Sequence, residues 1–205
     1  MNLEISLTED EIDCLQELMN IAYGSATAAI ADIFDAFATL TIPRIKILNL
    51  SELKNYLKDE LDLESEHFVS LQEINGSLNG ENMFVIDRES ATNVALKFGL
   101  DDDEINDLEI SDIILEITNI LSSSTIGKLA EDIQSNVSFS PPSIKLINSV
   151  DDLNNDFINN YEKVIIISTR LIFEDLNIDG ELLILTTDNS ILLIKEKLNN
   201  IIDSF

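Results

Sequence analysis

Asp13-Cys-Leu-Gln-Glu17-Leu-Met-Asn20-Ile21 recurs 99 residues later as Asp112-Ile-Ile-Leu-Glu116-Ile-Thr-Asn119-Ile120. The offset persists outward from this pair. Pro43-Arg-Ile45-Lys46-Ile47-Leu48 matches Pro142-Ser-Ile144-Lys145-Leu146-Ile147, and Asn79-Gly80-Glu81 matches Asp179-Gly180-Glu181 after 100 residues. Ordered matches over almost the whole chain, drifting by one residue, mark an internal duplication. The expected organisation is a single domain of two repeats, about 1–100 and 101–205.

Periodicity gives each repeat the same order of elements. A long helix comes first, over 9–37 and 104–133, opened in the first repeat by the capping-box pattern Thr8-x-x-Glu11. Pro43 and Pro142 then block helix and start extended segments at 42–50 and 143–148. Strand pairs follow, 67–76 with 81–87 and 161–174 with 181–187, around Asn79-Gly80 and Asp179-Gly180, dipeptides that favour tight turns because Gly tolerates φ > 0. Closing helices run from Arg88 to Phe98 and from Asn189 to Ile202. The polar stretch 51–66 reads as a short surface helix, and 151–160 as a loop or helical turn. Each repeat has too small a core to be comfortable alone. The fold class is therefore α/β (α+β), with two pseudo-twofold halves sharing one sheet and their long helices adjacent.

On a helical wheel, Asp13, Glu17, Asn20 and Gly24 fall within roughly 60° of one another, and Ile12, Leu15, Met19, Ala22, Ala26, Ala29 and Ile33 lie on the opposite side. Asp112, Glu116 and Asn119 form the same stripe in the second repeat, with Ser123 in the place of Gly24 and Ile114, Ile117 and Leu121 opposite. A solvated face asks only for polarity. Here Asp, Glu and Asn recur at identical spacing while their core neighbours are exchanged among Leu, Met, Ile and Thr, which points to a function. The carboxylate can pair with a partner's cation, and the amide can orient a water.

The remaining chemistry is mostly exclusion. Twelve Lys and Arg against 39 Asp and Glu give a net charge of −27, unsuited to binding phosphate backbones. One cysteine, Cys14, and one histidine, His67, offer no disulfide and no ordinary zinc set. Neither Glu17 nor Glu116 has a His three residues on, which excludes a carboxylate di-iron bundle. A phosphate loop and a nucleophile–base pair are missing as well. Asp101-Asp102-Asp103-Glu104 fails the calcium-loop pattern, with Asn106 where Gly is required, and reads as acids gathered at a helix N-terminus. Cys14 lies off the polar stripe with no cation nearby, so an unreactive thiol is expected. The N-terminus lacks a signal peptide and no apolar run reaches the roughly 20 residues of a membrane helix, so a cytoplasmic location away from membranes is expected.

The doubled Asp-x-x-x-Glu-x-x-Asn-Ile, followed first by Ala22-Tyr-Gly24-Ser25-Ala26-Thr-Ala28-Ala29, resembles the CheC branch of the CheC/CheX/FliY family of chemotaxis phosphatases. The resemblance implies that the chain dephosphorylates a CheY-like response regulator. It implies that Glu17 and Glu116 contact the regulator's active-site lysine. Asn20 and Asn119 would position the attacking water, with Asp13 and Asp112 as supporting acids. It implies no cofactor of its own, Mg²⁺ being supplied by the receiver, and CheD as a further partner. Two sites per chain suggest a monomer, and an end at Phe205 suggests a chain without the flagellar-switch domain of FliY-like members. Ser25 and Ser123 depart from the family's usual Asn and Gly. The alternative is a non-catalytic adaptor of the same fold that binds CheD or other chemotaxis proteins.

Overall fold

The structure, a computed structural model, describes residues 6–35, 37–60, 65–101, 103–149, 152, 163–173 and 176–204. The first repeat contains α1 (Glu9–Phe34), β1 (Thr39–Leu40), β2 (Arg44–Asn49), α2 (Leu50–Glu60), β3 (His67–Gly76), β4 (Gly80–Asp87) and α3 (Arg88–Lys97). The second contains α4 (Asp107–Asp132), β5 (Val137–Phe139), β6 (Ser143–Ile147), β7 (Lys163–Phe173), β8 (Ile178–Thr186) and α5 (Asp188–Ile202).

Helix α1 opens on the expected capping box. The Thr8 amide donates to Glu11 Oε2 at 2.7 Å and the Glu11 amide donates to Thr8 Oγ1 at 3.2 Å. Glu11 also ties the helix to α5, accepting from Asn199 Nδ2 at 2.8 Å and pairing with Lys195 at 3.3 Å. Burial works to raise its pKa, but these donors together hold the carboxyl below its ordinary value. The helix ends before the expected residue 37, because Asp35 turns left-handed (φ 45°). Helix α4 starts at 107 rather than 104, because the Asn106 side chain caps it by accepting from the Leu108 and Glu109 amides. Glu104 instead accepts from the Asp101 amide, so the described acids of 101–104 belong to the preceding turn, not to the first turn of the helix.

The strands form one eight-stranded sheet in the order β1-β7-β8-β4-β3-β5, with β2 also on β7 and β6 also on β3. The expected extended segments 42–50 and 143–148 are thus β2 and β6, each preceded by a strand of two or three residues too short to leave a periodic signal. The repeats are interwoven. β1 and β2 of the first repeat pair with β7 of the second, and β5 and β6 of the second pair with β3 of the first, all antiparallel.

The seam between repeats is β4 against β8. Met83 faces Leu183, its own counterpart 100 residues on, and Gly80 faces Thr186 while Gly180 faces Ile86. This is the self-complementary contact of a twofold axis. The same symmetry recurs at the helix starts. Ser90 Oγ accepts from the Asp179 amide at 3.1 Å, and Ser190 Oγ accepts from the Asn79 amide at 2.7 Å. Each closing helix is thereby fastened to the other repeat's hairpin.

The glycines of those hairpins do not serve the expected purpose. The positive φ lies at Gly76 (126°) and Asn177 (51°), before the dipeptides. Gly80 and Gly180 lie inside β4 and β8. A Cβ on Gly80 would collide with the Leu185 carbonyl, and one on Gly180 would meet the Phe84 ring at 2.8 Å. The requirement is close strand approach, not turn geometry.

One face of the sheet carries the main core with α1, α3, α4 and α5, including Leu15, Met19, Phe68, Phe84, Ile114, Ile117 and Leu121. Helices α1 and α4 lie side by side, as expected. On the opposite face, Leu53, Tyr56 and Leu57 of α2 pack on Val69, Met83, Val85 and Ile166. The expected short surface helix 51–66 is α2, ending at Glu60; its outer side is exposed while its inner side clamps the back of the sheet, burying side chains worth about 1.5–3 kcal/mol each. Residues 61–64 and most of 151–160 lie outside the described residues, as do 161, 162 and 174 at the ends of the expected strand. Ile33, on the side opposite the polar stripe, is nonetheless 44% exposed, since it falls in the last turn of α1.

Candidate functional site

Glu17 and Asn20 project from α1 while Leu15, Met19, Ala22 and Ala26 of the same helix are buried beneath them. Glu116 and Asn119 project from α4 above buried Ile114, Ile117, Thr118 and Leu121. Asp13 and Asp112 are exposed one turn earlier. Both polar stripes thus face solvent on neighbouring helices, where a folded partner can reach them.

The surroundings of the two stripes differ. The first borders a groove of about 470 Å³ lined by Asn20, Tyr23, Thr27, Ala31, Phe37 and Leu40, among others. Phe37, left outside the helix by the early turn at Asp35, is 84% exposed. Among the described residues no hydrogen bond reaches the Asn20 side chain. The second stripe sits against the sheet. Gln72 of β3, fully buried, donates from Nε2 to Asn119 Oδ1 at 3.0 Å and to the Ser140 carbonyl at 2.8 Å. Beside it Asn82 of β4, equally buried, donates to Ser122 Oγ.

Gln72 escaped the sequence reading, although a signal exists. It occupies the core-facing register of β3 with Phe68 and Ile74, and a buried amide requires partners. Ser25 and Ser123, where the sequence departs from the pattern it resembles, are exposed, and Ser123 Oγ donates back to the Ile120 carbonyl.

The other singled-out groups are structural. His67 is 9% exposed, and its Nδ1 lies 2.8 Å from the Ser65 carbonyl. Cys14 is half-buried, which raises its thiol pKa and suppresses thiolate. Among the described residues no three His, Cys, Asp or Glu side chains gather as a metal site, and no helix is long and apolar enough to cross a membrane. What the stripes offer is a carboxylate and an amide in fixed spacing. Such a pair can bind a cation and hold a water but contributes no nucleophile.

Comparison with known proteins bears on this arrangement. A family model described as the chemotaxis phosphatase CheX matches residues 68–151, which include most of β3 and the stripe of α4. The flagellar motor switch phosphatase FliY of Bacillus subtilis is 24% identical over 172 residues, 80% of this chain and 43% of FliY, so the chain spans less than half the length of that relative. The crystal structure of Thermotoga maritima FliY has the same fold, with a TM-score of 0.73 at 21% identity over 95% of this chain and 98% of that one. A chain of the Borrelia burgdorferi complex of CheX with CheY, BeF₃ and Mg²⁺ aligns with a TM-score of 0.53 at 17% identity, over 83% and 96% of the two chains. The motif is thus exposed twice on adjacent helices, residues 68–151 are similar to the chemotaxis phosphatase CheX, and the fold is shared with Thermotoga maritima FliY.

Proposed function

We propose that this chain hydrolyses the aspartyl phosphate of a CheY-like receiver domain. Glu17 and Asn20 form one site, Glu116 and Asn119 the other, with Asp13 and Asp112 supporting them. The observation that carries this reading is the pair of exposed Glu/Asn stripes on packed helices. The Borrelia CheX solved together with CheY supports a receiver as the partner.

The chemistry asked of the chain is small. Water attacks phosphorus in line, the bond from phosphorus to the aspartyl oxygen breaks, and inorganic phosphate leaves with the receiver's Asp restored as carboxylate. Such transfers depend on positioning and charge placement more than on covalent help. The receiver brings its own phosphoryl group and Mg²⁺. In this reading the Glu carboxylate pairs with the receiver's active-site lysine and docks the helix. The Asn amide then holds the water on the line of attack. Loss of Asn lowers kcat, whereas loss of Glu affects kcat and KM together.

The test is the decay of an aspartyl-phosphorylated receiver with and without the chain. Asn20→Ala with Asn119→Ala together should reduce the acceleration about 100-fold, the scale of losing a positioned polar group in the transition state. Undiminished acceleration in the double variant would remove the mechanism. Receiver or CheD binding with no acceleration by the unaltered chain would favour the adaptor.

A further inference from the structure

Behind the second stripe lies a chain of amides whose orientation is dictated from one end. The Ser140 carbonyl can only accept, so the end of Gln72 that faces it at 2.8 Å is Nε2. The same Nε2 lies 3.0 Å from Asn119, which must therefore turn its oxygen inward. Asn119 is left with both Nδ2 hydrogens and one Oδ1 lone pair for solvent or a partner. Gln72 is itself 1% exposed and held to the Ser140 carbonyl, so the amide it holds is restrained too.

Among the described residues the first stripe has no such support. By sheet register the counterpart of Gln72 is Thr169: Gln72 pairs with Asn82, and Thr169 pairs with Leu182, which follows Asn82 by 100 residues. Thr169 repeats half of the arrangement. Its Oγ1 donates to the Thr41 carbonyl at 2.6 Å, as Gln72 donates to that of Ser140. Thr41 and Ser140 also accept in the same way, from the Arg170 and Glu73 amides. The shorter Thr side chain ends there and makes no bond to Asn20.

We propose that Gln72 is a positioning residue for Asn119, so that the second stripe is preorganised for turnover and the first is not. The proposal rests on the phosphatase reading. A restrained amide need not be ordered at the moment of reaction, and one hydrogen bond of ordinary strength corresponds to a rate effect of about fivefold to tenfold.

The experiment uses the full chain carrying Asn20→Ala, so that turnover of a phosphorylated receiver reports the second stripe. Adding Gln72→Met, which keeps length and volume but removes the donor, should lower kcat about fivefold to tenfold with KM unchanged. The loss should vanish when Asn119 is already Ala. An unchanged kcat, or an equal loss in the Asn119→Ala chain, overturns the proposal. A second readout does not depend on activity. In ¹⁵N relaxation the side-chain amide of Asn119 should be more ordered than that of Asn20, and Gln72→Met should bring it to the level of Asn20. Equal order in the unaltered chain overturns the proposal as well. If the unaltered chain accelerates nothing, the phosphatase reading fails, and the relaxation contrast alone decides whether Gln72 holds Asn119.

Discussion

Ser90 and Ser190 perform the same task in the two repeats, each receiving a backbone amide of the other repeat's hairpin, whereas Gln72 and Thr169, also counterparts, do not. Both pairs join one repeat to the other, since Gln72 meets Asn119 and Ser140 while Thr169 meets Thr41. The serines are identical in the two repeats, so their contacts match. The exchange of Gln for the shorter Thr keeps the carbonyl contact and loses the one to the stripe. The back of the sheet teaches the same lesson. Glu81 has Glu73 across from it in the ladder, while its counterpart Glu181 has Arg170 across and Arg44 at 3.6 Å.

That comparison can be broken most severely at the seam. Gly80→Ala drives a methyl into the Leu185 carbonyl and the Thr186 backbone, neither of which can rotate away, and should cost about 3 kcal/mol or more. Gly180→Ala meets chiefly the Phe84 ring at 2.8 Å, which can shift, with the Val85 carbonyl farther off at 3.3 Å, and should cost about half as much. Chemical denaturation of both variants checks the order, and equal costs would mean that the seam is softer than its geometry.

Smaller effects are expected on the back of the sheet. Burial and the Glu73 carboxylate push Glu81 up to about 8, from 4.5. The folded chain therefore keeps a proton that the unfolded chain has released, and stability falls as pH rises from about 4.5 through about 8. Glu81→Gln should flatten that slope and stabilise the protein at pH 8 by on the order of 2 kcal/mol. Melting temperatures measured across this window check it, and a slope that survives the substitution assigns the proton to another group.

The smallest difference separates the two stripes. Asn119→Ala should remove about fivefold to tenfold more receiver dephosphorylation than Asn20→Ala, the share assigned to preorganisation by Gln72. Equal losses in the same decay assay would leave the stripes equivalent despite their different support.

Much of this molecule is legible in the chain itself. The duplication, both long helices, the capping box at Thr8 and the outward Glu17/Asn20 and Glu116/Asn119 stripes all follow from spacing, because helical periodicity and capping are local. The short strands β1 and β5 were not legible, since two or three residues carry no period. The purpose of Gly80 and Gly180 is not legible either, because an Asn-Gly or Asp-Gly pair looks the same whether the glycine turns a corner or lets a strand 100 residues away come close.

The sequence by itself determined that there are two repeats and which side chains each long helix turns outward, both being matters of order and angle along one segment. Only the tertiary structure decided that β1 and β2 cross to β7 while β5 and β6 cross to β3. It alone decided that Gln72 reaches Asn119, 47 residues away, while Thr169 reaches no such partner. Those outcomes depend on which strands pair and in what register. Pairing is set by packing the whole sheet at once, and no single stretch of chain encodes it.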